Sequence, residues 1–250
     1  MKSFWLAWRF LTLLPVGKSQ EEIHPRYFGQ SMAYYPLVGF LLGLLLWGAH
    51  RALAGVFPRA LADGVTILFL VVLTAAFHLD GLADMLDGLA FGKTPPERLQ
   101  IMRDHRVGTF GVVGLILILG VKFLALNALP QEAAGRALCL ALLLGRWSMV
   151  QMTYRAPYAR SGGGLGSAFK EHLGKREVIL AGMTSLICSF FLFSFWGVLI
   201  GLAVVVGTLG IQAFFQKKIG GFTGDILGGT NEINEVFSLL AMAGILHFLG

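Results

Sequence analysis

Apolar residues fill this chain in long blocks, and polar residues are confined to the stretches between them. A helix needs roughly 20 predominantly apolar residues to cross the hydrocarbon core of a bilayer. Blocks approaching that length run over about 34–53, 64–79, 109–129 and 136–153, with a last one over about 235–249. The second block continues into a more acidic helix. The stretch 178–215 is about 38 residues long, too much for one crossing, so a tight helical hairpin broken near 194–197 is expected there. The pattern predicts an all-α, polytopic integral membrane protein of about seven transmembrane helices. Ahead of them, MKSFWLAWRFLTLLPVG carries a short apolar stretch interrupted by Arg9 and ended by Pro15, without a small-residue cleavage site. It reads as an N-terminal amphipathic interfacial helix and not as a signal peptide. No internal repeat or separate soluble domain is evident, so 1–250 reads as one transmembrane domain.

Polar chemistry enters where the second block ends. Over 78–111, HLDGLADMLDGLAFGKTPPERLQIMRDHRVGTFG, Asp80, Asp84 and Asp87 recur at i, i+4 and i+7. A helix turning about 100° per residue gathers them within an arc of roughly 60°, so the carboxylates project together. Leu82, Met85, Leu86 and Leu89 fall on the other side. Gly81 and Gly88 stack beside the acidic arc, where a second backbone or a bulky ligand can come close. Three carboxylates so near one another repel unless a divalent cation or shared protons compensate. Hard oxygen donors on one face suit Mg²⁺, which keeps several waters and is usually held by a few carboxylates plus substrate phosphates. An ordinary solvated face would carry lysines at i+4 to pair with these acids, and none is present. His78 points about 160° away from the acidic arc and reads as a packed or hydrogen-bonded residue.

Composition narrows the partners. Of 250 residues, 56% are hydrophobic and 14% charged, against about 25% charged in soluble domains. In a membrane protein a formal charge of +6 reflects cytoplasmic loops and anionic lipid, and no nucleic-acid partner is expected. A cytoplasmic N-terminus places Lys2, Arg9, Lys18, Arg26, Lys93, Arg98, Arg103, Arg106, Arg155, Arg160, Lys170, Lys175, Arg176, Lys217 and Lys218 inside, 15 of the 20 basic residues. Arg51, Arg59 and Arg136 fall outside. Lys122 and Arg146 fall within spans, where each is expected to neutralise an acid or meet a polar substrate group. Cys139 and Cys188 lie in apolar runs without metal-ligand spacing and read as small core residues.

The same orientation gathers three further segments on the cytoplasmic face. In 103–111, RDHRVGTFG, Arg103, Asp104 and Arg106 precede the third span, and Thr109 is the expected helix N-cap. Free backbone N–H groups there would bind an oxyanion, with the two arginines adding charge. His105 stands beside Asp104 without a clear role. In 220–235, GGFTGDILGGTNEINE, five glycines accompany Thr223, Gly224, Asp225, Asn231, Glu232 and Glu235. Such a stretch is expected to fold back so that backbone amides meet phosphate while Asp225 and Glu232 supply oxygen ligands. SGGGLG at 161–166 reads as a flexible loop.

Taken in order, Asp80-Gly81-x-x-Asp84-x-x-Asp87-Gly88, Arg103-Asp104-x-Arg106-x-Gly108-Thr109-x-Gly111 and Gly220-Gly221-x-Thr223-Gly224-Asp225 with Glu232 downstream resemble the cobalamin synthase family, the membrane-bound adenosylcobinamide-GDP ribazoletransferases. The resemblance covers essentially the whole chain. It implies phosphoryl transfer, in which the ribose 3′-hydroxyl of α-ribazole, or of its 5′-phosphate, attacks adenosylcobinamide-GDP and GMP leaves. Mg²⁺ is the implied cofactor, with Asp84 and Asp87 as first ligands and Asp80 as a third. Asp104, Asp225 and Glu232 are then candidates for a second metal or for orienting the nucleophile, and one of the six acids for the general base. Arg103, Arg106, Thr109, Thr223 and Gly224 are the candidate phosphate contacts. The implied setting is a multi-pass protein of the cell inner membrane, its active face cytoplasmic, with the lipid bilayer as partner and homo-oligomers left open. Asp84-x-x-Asp87-Gly88 also resembles the start of the CDP-alcohol phosphotransferase motif, but Phe91-Gly92 stands where Ala-Arg is expected and no paired acids follow. A transporter would be expected to show two matching halves, which this sequence lacks.

Overall fold

The computed structural model describes residues 2–15, 24–104 and 106–249, so Lys18 and His105 lie outside the described residues. Regular structure among them is helical, apart from an isolated parallel bridge between Tyr158 and Phe222. α1 (Lys2–Leu11) buries Leu6, Ala7 and Leu11 along one side, as an amphipathic helix should. α2 (Arg26–Ser31) passes through a 3-10 turn (Met32–Tyr34) into α3 (Tyr35–Ala54). There follow α4 (Arg59–Leu73), α5 (Phe77–Phe91), α6 (Pro95–Ile101), α7 (Thr109–Ala128), α8 (Gln131–Arg155), α9 (Leu165–His172), α10 (Lys175–Ile219) and α11 (Gly224–Leu249).

Five helical segments, Arg26–Ala54, Thr109–Ala128, Gln131–Arg155, Lys175–Ile219 and Gly224–Leu249, are long and apolar enough to cross a membrane, and α4 with α5 forms a sixth that is bent by 86°. α10 is two arms. Phe193 and Ser194 leave helical conformation, and a Cβ on Gly201 would lie 3.9 Å from the Ser189 hydroxyl oxygen. A straight helix would hold those two residues about 18 Å apart, so the chain folds back on itself here as the expected hairpin. With α4 and α5 counted as one broken crossing and α10 as two, the expected seven are accommodated.

The second crossing does not continue straight into the acidic helix, as its apolar run suggests. Thr74 ends α4; Ala75 N donates to Val72 O (3.1 Å) and Ala76 N to Val71 O (2.9 Å), the bonding pattern of a Schellman turn. Ala75 and Ala76 both take positive φ, 53° and 54°. Glycine normally fills such a position, and neither Gly nor Pro marks this one.

α8 is the centre of the bundle and is buried along nearly its whole length, between α3, α10 and α11. Gly39 and Gly43 let α3 meet it backbone to backbone: a Cβ on Gly43 would press into the Cys139 backbone, and one on Gly39 would overlap the Leu142 carbonyl. In lipid, where apolar surface gains nothing by leaving its surroundings, close approach of this kind supplies the packing energy. Outward-facing Leu68, Phe69, Ile116, Leu117, Phe190, Phe191, Phe195 and Leu202 are exposed, a surface suited to hydrocarbon and not to water.

The connections sort to two ends. At one end, Asp63 accepts from Asn127 Nδ2 (2.8 Å) and lies 2.7 Å from His50 Nε2, while Arg59 reaches the Leu126 and Leu129 carbonyls. This caps α3, α4 and α7 together. At the other end, Arg98 Nη1 donates to Lys218 O (3.3 Å), Arg160 Nη2 to Met102 O (3.3 Å) and Ala159 N to Phe222 O (2.9 Å). In a Cys139→Ala, Cys188→Ala background, single cysteines at Lys93, Ser161 and Lys217 should all react with an impermeant maleimide from the same side of sealed vesicles, and cysteines at Val56 and Glu132 from the opposite side. Reaction of positions 93 and 217 from different sides would break this topology.

Candidate active site

The end that gathers α5, α9 and the turn before α11 is built on missing side chains. A Cβ on Gly81 would lie 2.9 Å from Asp225 O and 3.0 Å from its Cα, and one on Gly228 would lie 3.0 Å from His78 O. α11 therefore starts directly on α5, which brings Asp225 beside Asp80 and Asp84. The close approach expected at Gly88 also occurs, toward Arg98 O (3.1 Å) and the Met102 side chain.

Thr223 is the N-cap of α11, its hydroxyl accepting from Ile226 N (3.4 Å) and donating to Asp225 Oδ2 (3.0 Å). Arg160 Nη2 donates to the same carboxylate oxygen at 2.6 Å. Arg160 is carried there by backbone: Phe222 N donates to Pro157 O (3.0 Å) and Ala159 N returns the bond to Phe222 O. Gly224 is exposed, and a Cβ there would meet no atom within 4 Å, so the first turn of α11 is open.

After its 86° turn α5 packs against the first turns of α7 and α11, with Asp80 exposed and Asp84 half-buried. Asp84 has the negative charges of Asp80, Asp225 and Asp87 around it and the positive charge of Arg160 against them. Negative charge here exceeds what one arginine offsets.

Asp87 has a different place from its neighbours. It is 4% exposed, and its two oxygens accept from Gly108 N (2.6 Å) and Gly111 N (2.8 Å). The N-cap of α7 is Gly108, not Thr109, which is the exposed first residue of the helix. The oxyanion expected at this terminus is the protein's own: the buried Asp87 carboxylate answers the unpaired amides and the positive end of the helix dipole. The predicted triad Asp80, Asp84 and Asp87 is thereby divided. Among the described residues no three His, Cys, Asp or Glu side chains are placed to share a metal ion.

Two more expectations change. Residues 224–235 are helical and form no phosphate loop. Glu232 lies inside the bundle, where Lys122 Nζ donates to Glu232 Oε2 and Glu235 Oε2, both at 2.7 Å. Arg146 Nη1 bonds Glu235 Oε1, and Asn231 Nδ2 donates to that oxygen at 2.9 Å. Two bases and two acids thus neutralise one another, because an unpaired charge at this depth would be expensive. The Asp104 carboxylate accepts from Arg106 N (3.2 Å) in a local turn, and among the described residues no hydrogen bond or ion pair joins Arg103, Asp104 or Arg106 to the Asp80, Asp84 and Asp225 group. SGGGLG turns through positive φ at Gly162, Gly163 and Gly164 before α9. Arg160 carried no sign of its role beyond its place next to that loop, and the role of Glu235 was hidden by distance along the chain.

Carboxylates and an arginine thus converge at one end of a helical, integral-membrane protein. The family model for cobalamin-5-phosphate synthase matches residues 3–243. Curated proteins named adenosylcobinamide-GDP ribazoletransferase are similar over nearly their full length. That of Syntrophobacter fumaroxidans is 38% identical over 96% of this chain and 97% of its own. That of Pseudomonas putida is 41% identical over 97% and 99%, and that of Geotalea daltonii 37% identical over 98% of each. No solved structure matches. The chain belongs to the cobalamin-5-phosphate synthase family of cobalamin-biosynthesis transferases.

The two kinds of carboxylate should respond oppositely to neutralisation. Asp87→Asn removes a charged cap from a buried site and should cost about 1–3 kcal/mol, read as a lower melting temperature in detergent. Asp84→Asn removes repulsion and should leave the metal-free melting temperature level or higher. Deep in the bundle, Lys122→Met should cost about 3–5 kcal/mol by stranding two acids, and adding Glu232→Gln should recover part of that loss. A double variant no more stable than the single one would show that Lys122 contributes through packing alone.

Proposed function

We propose that this protein joins adenosylcobinamide-GDP to α-ribazole, or to its 5′-phosphate, giving adenosylcobalamin, or its 5′-phosphate, and GMP. The observation that carries this reading is the meeting of Asp80, Asp84 and Asp225 with Arg160 at one end of the bundle, in a chain of this family. The ribose 3′-hydroxyl oxygen attacks the phosphorus bonded to cobinamide. A P–O bond forms, the bond to the bridging pyrophosphate oxygen breaks, and GMP departs with that electron pair. The hydroxyl proton passes to a carboxylate of the cluster.

The donors fit a hard divalent cation: all are carboxylate oxygens, and the surplus negative charge felt by Asp84 is what such an ion relieves. Asp84 with one of its two acidic neighbours, Asp80 or Asp225, would hold Mg²⁺, with substrate phosphate oxygens and water completing its shell in place of a third side chain. When bound, the cation neutralises the pyrophosphate and the charge developing on the leaving oxygen. Arg160 fixes the Asp225 carboxylate and adds positive charge beside the path of the pyrophosphate. The open first turn of α11 at Gly224, capped by Thr223, offers backbone N–H groups to a substrate phosphate, and exposed Arg103 and Arg106 add long-range attraction. Asp87 contributes by holding α7 against α5.

Charge supports a cytoplasmic active face. Arg98, Arg103, Arg106, Arg160, Lys170, Lys217 and Lys218 all belong to the elements at the acidic end, which suits the cytoplasmic face of an inner membrane. The reading is tested by incubating purified protein with adenosylcobinamide-GDP and α-ribazole, with and without Mg²⁺. GMP should appear only with the metal, and Asp84→Asn and Asp225→Asn should each lower turnover by roughly a hundredfold, the scale on which one lost charge partner acts. Equal turnover after metal removal, or full activity in both variants, would sink the proposal.

A further inference from the structure

Beside the acidic cluster lies a cavity of about 220 Å³ whose walls include Phe10, Tyr35, Phe77, Met149, Phe169, Gly224 and Leu227. Its walls come from α1, α3, α5, α8, α9 and α11, and two of them are shared with the site. Phe77 stands three residues before Asp80 on α5, and Gly224 adjoins Asp225 on α11. The lining is aromatic and sulfur-bearing. Phe10 stacks on Tyr35 with centroids 6.2 Å apart, and meets Phe77 edge to face at 5.3 Å and Phe169 at 5.0 Å. Among the lining side chains only Tyr35 carries a polar group. Its hydroxyl is buried without a hydrogen-bond partner of ordinary length, with the Ser31 hydroxyl nearby.

Resting on the proposed reaction, we infer that this cavity receives the aromatic base of the acceptor nucleoside and so holds its ribose toward the acidic cluster. Three ring systems arrive with the two substrates, and the cavity discriminates among them by size and polarity. An apolar cavity of about 150 Å³ stays dry and accepts benzene, so this one has room for a fused two-ring base and none for a corrin macrocycle. Guanine presents several donors and acceptors that would be left unpaired against a single hydroxyl, which disfavours its burial here. A benzimidazole base is flat and largely apolar, with one ring nitrogen free to accept from the Tyr35 hydroxyl. Aromatic and thioether walls favour such a ring by edge-to-face and sulfur contacts. Because Gly224 belongs to both the cavity wall and the open turn of α11, a base seated here places its sugar next to the residues that would hold the reacting phosphate.

The test uses full-length protein in lipid nanodiscs. Leu227→Trp and Met149→Trp fill the cavity, Tyr35→Phe removes only its hydroxyl, and Leu202→Trp on the outer surface is the control. Equilibrium dialysis with benzimidazole reads binding without turnover, and KM for each substrate reads it during turnover. Filling should abolish benzimidazole binding and raise KM for α-ribazole at least tenfold, with KM for adenosylcobinamide-GDP changed less than twofold. Tyr35→Phe should weaken benzimidazole binding severalfold, and Leu202→Trp should change nothing. Unchanged benzimidazole affinity in every variant that folds would overturn the inference, as would equal rises in both KM values. A lipid found in the cavity by mass spectrometry and not displaced by benzimidazole would overturn it too. Since dialysis needs no catalysis, a protein that binds benzimidazole here but releases no GMP would count against the proposed reaction and leave the subsite standing.

Discussion

Charge buried among helices sets the frame of this protein. Lys122 on α7, Arg146 on α8 and Glu232 and Glu235 on α11 come from distant parts of the chain and neutralise one another inside the bundle. Each would be costly if it faced lipid, so the three helices are held to the register in which all four meet. That register fixes how far α11 reaches, and its first turn therefore emerges against α5 at Gly81. The position of Asp225 beside Asp80 and Asp84 follows from an ion network lying about two turns deeper along α11.

The acidic face shows how one helix gives like side chains unlike work. Asp80, Asp84 and Asp87 share an arc of α5, yet Asp87 turns into the protein and binds the amides of Gly108 and Gly111. There its charge faces the positive end of the α7 dipole. Asp84 lacks such a partner and has Asp225 and Asp80 for neighbours, and its unbalanced charge makes it the centre of the cluster. The glycines between the acids set this division. Gly81 admits α11 on one side, while Gly88 admits the end of α6 and holds the loop leading to α7 in place.

Position also explains why an apolar cavity belongs next to a charged site in this fold. The site stands where the crossing helices end, so its outward side meets water while its inward side is continuous with the packed interior. α1 and α9, which cross nothing, cover that inward side with Phe10 and Phe169. They enclose a space that water has little reason to enter, beside carboxylates that need water or a cation. A substrate that is flat and apolar at one end and hydroxylated at the other matches this boundary.

Much was legible from the chain alone. The bilayer acts on any helix through the composition of about 20 consecutive residues, so the crossings, the hairpin in α10, the amphipathic α1 and the segregation of basic loops could be read along the sequence. Helical periodicity put three aspartates on one arc, and the glycines beside them announced close approach. What the sequence could not decide was which partner each charge would find, because Coulomb interaction depends on distance through space and not along the chain. Asp87 meeting the terminus of α7, Glu232 meeting Lys122, and Asp225 with Arg160 completing the cluster all join residues more than 20 positions apart. The sharp bend before α5 was hidden for a related reason. Two alanines hold positive φ there without the glycine that usually signals it, and the packing of α5 across α7 and α11 stabilises that bend.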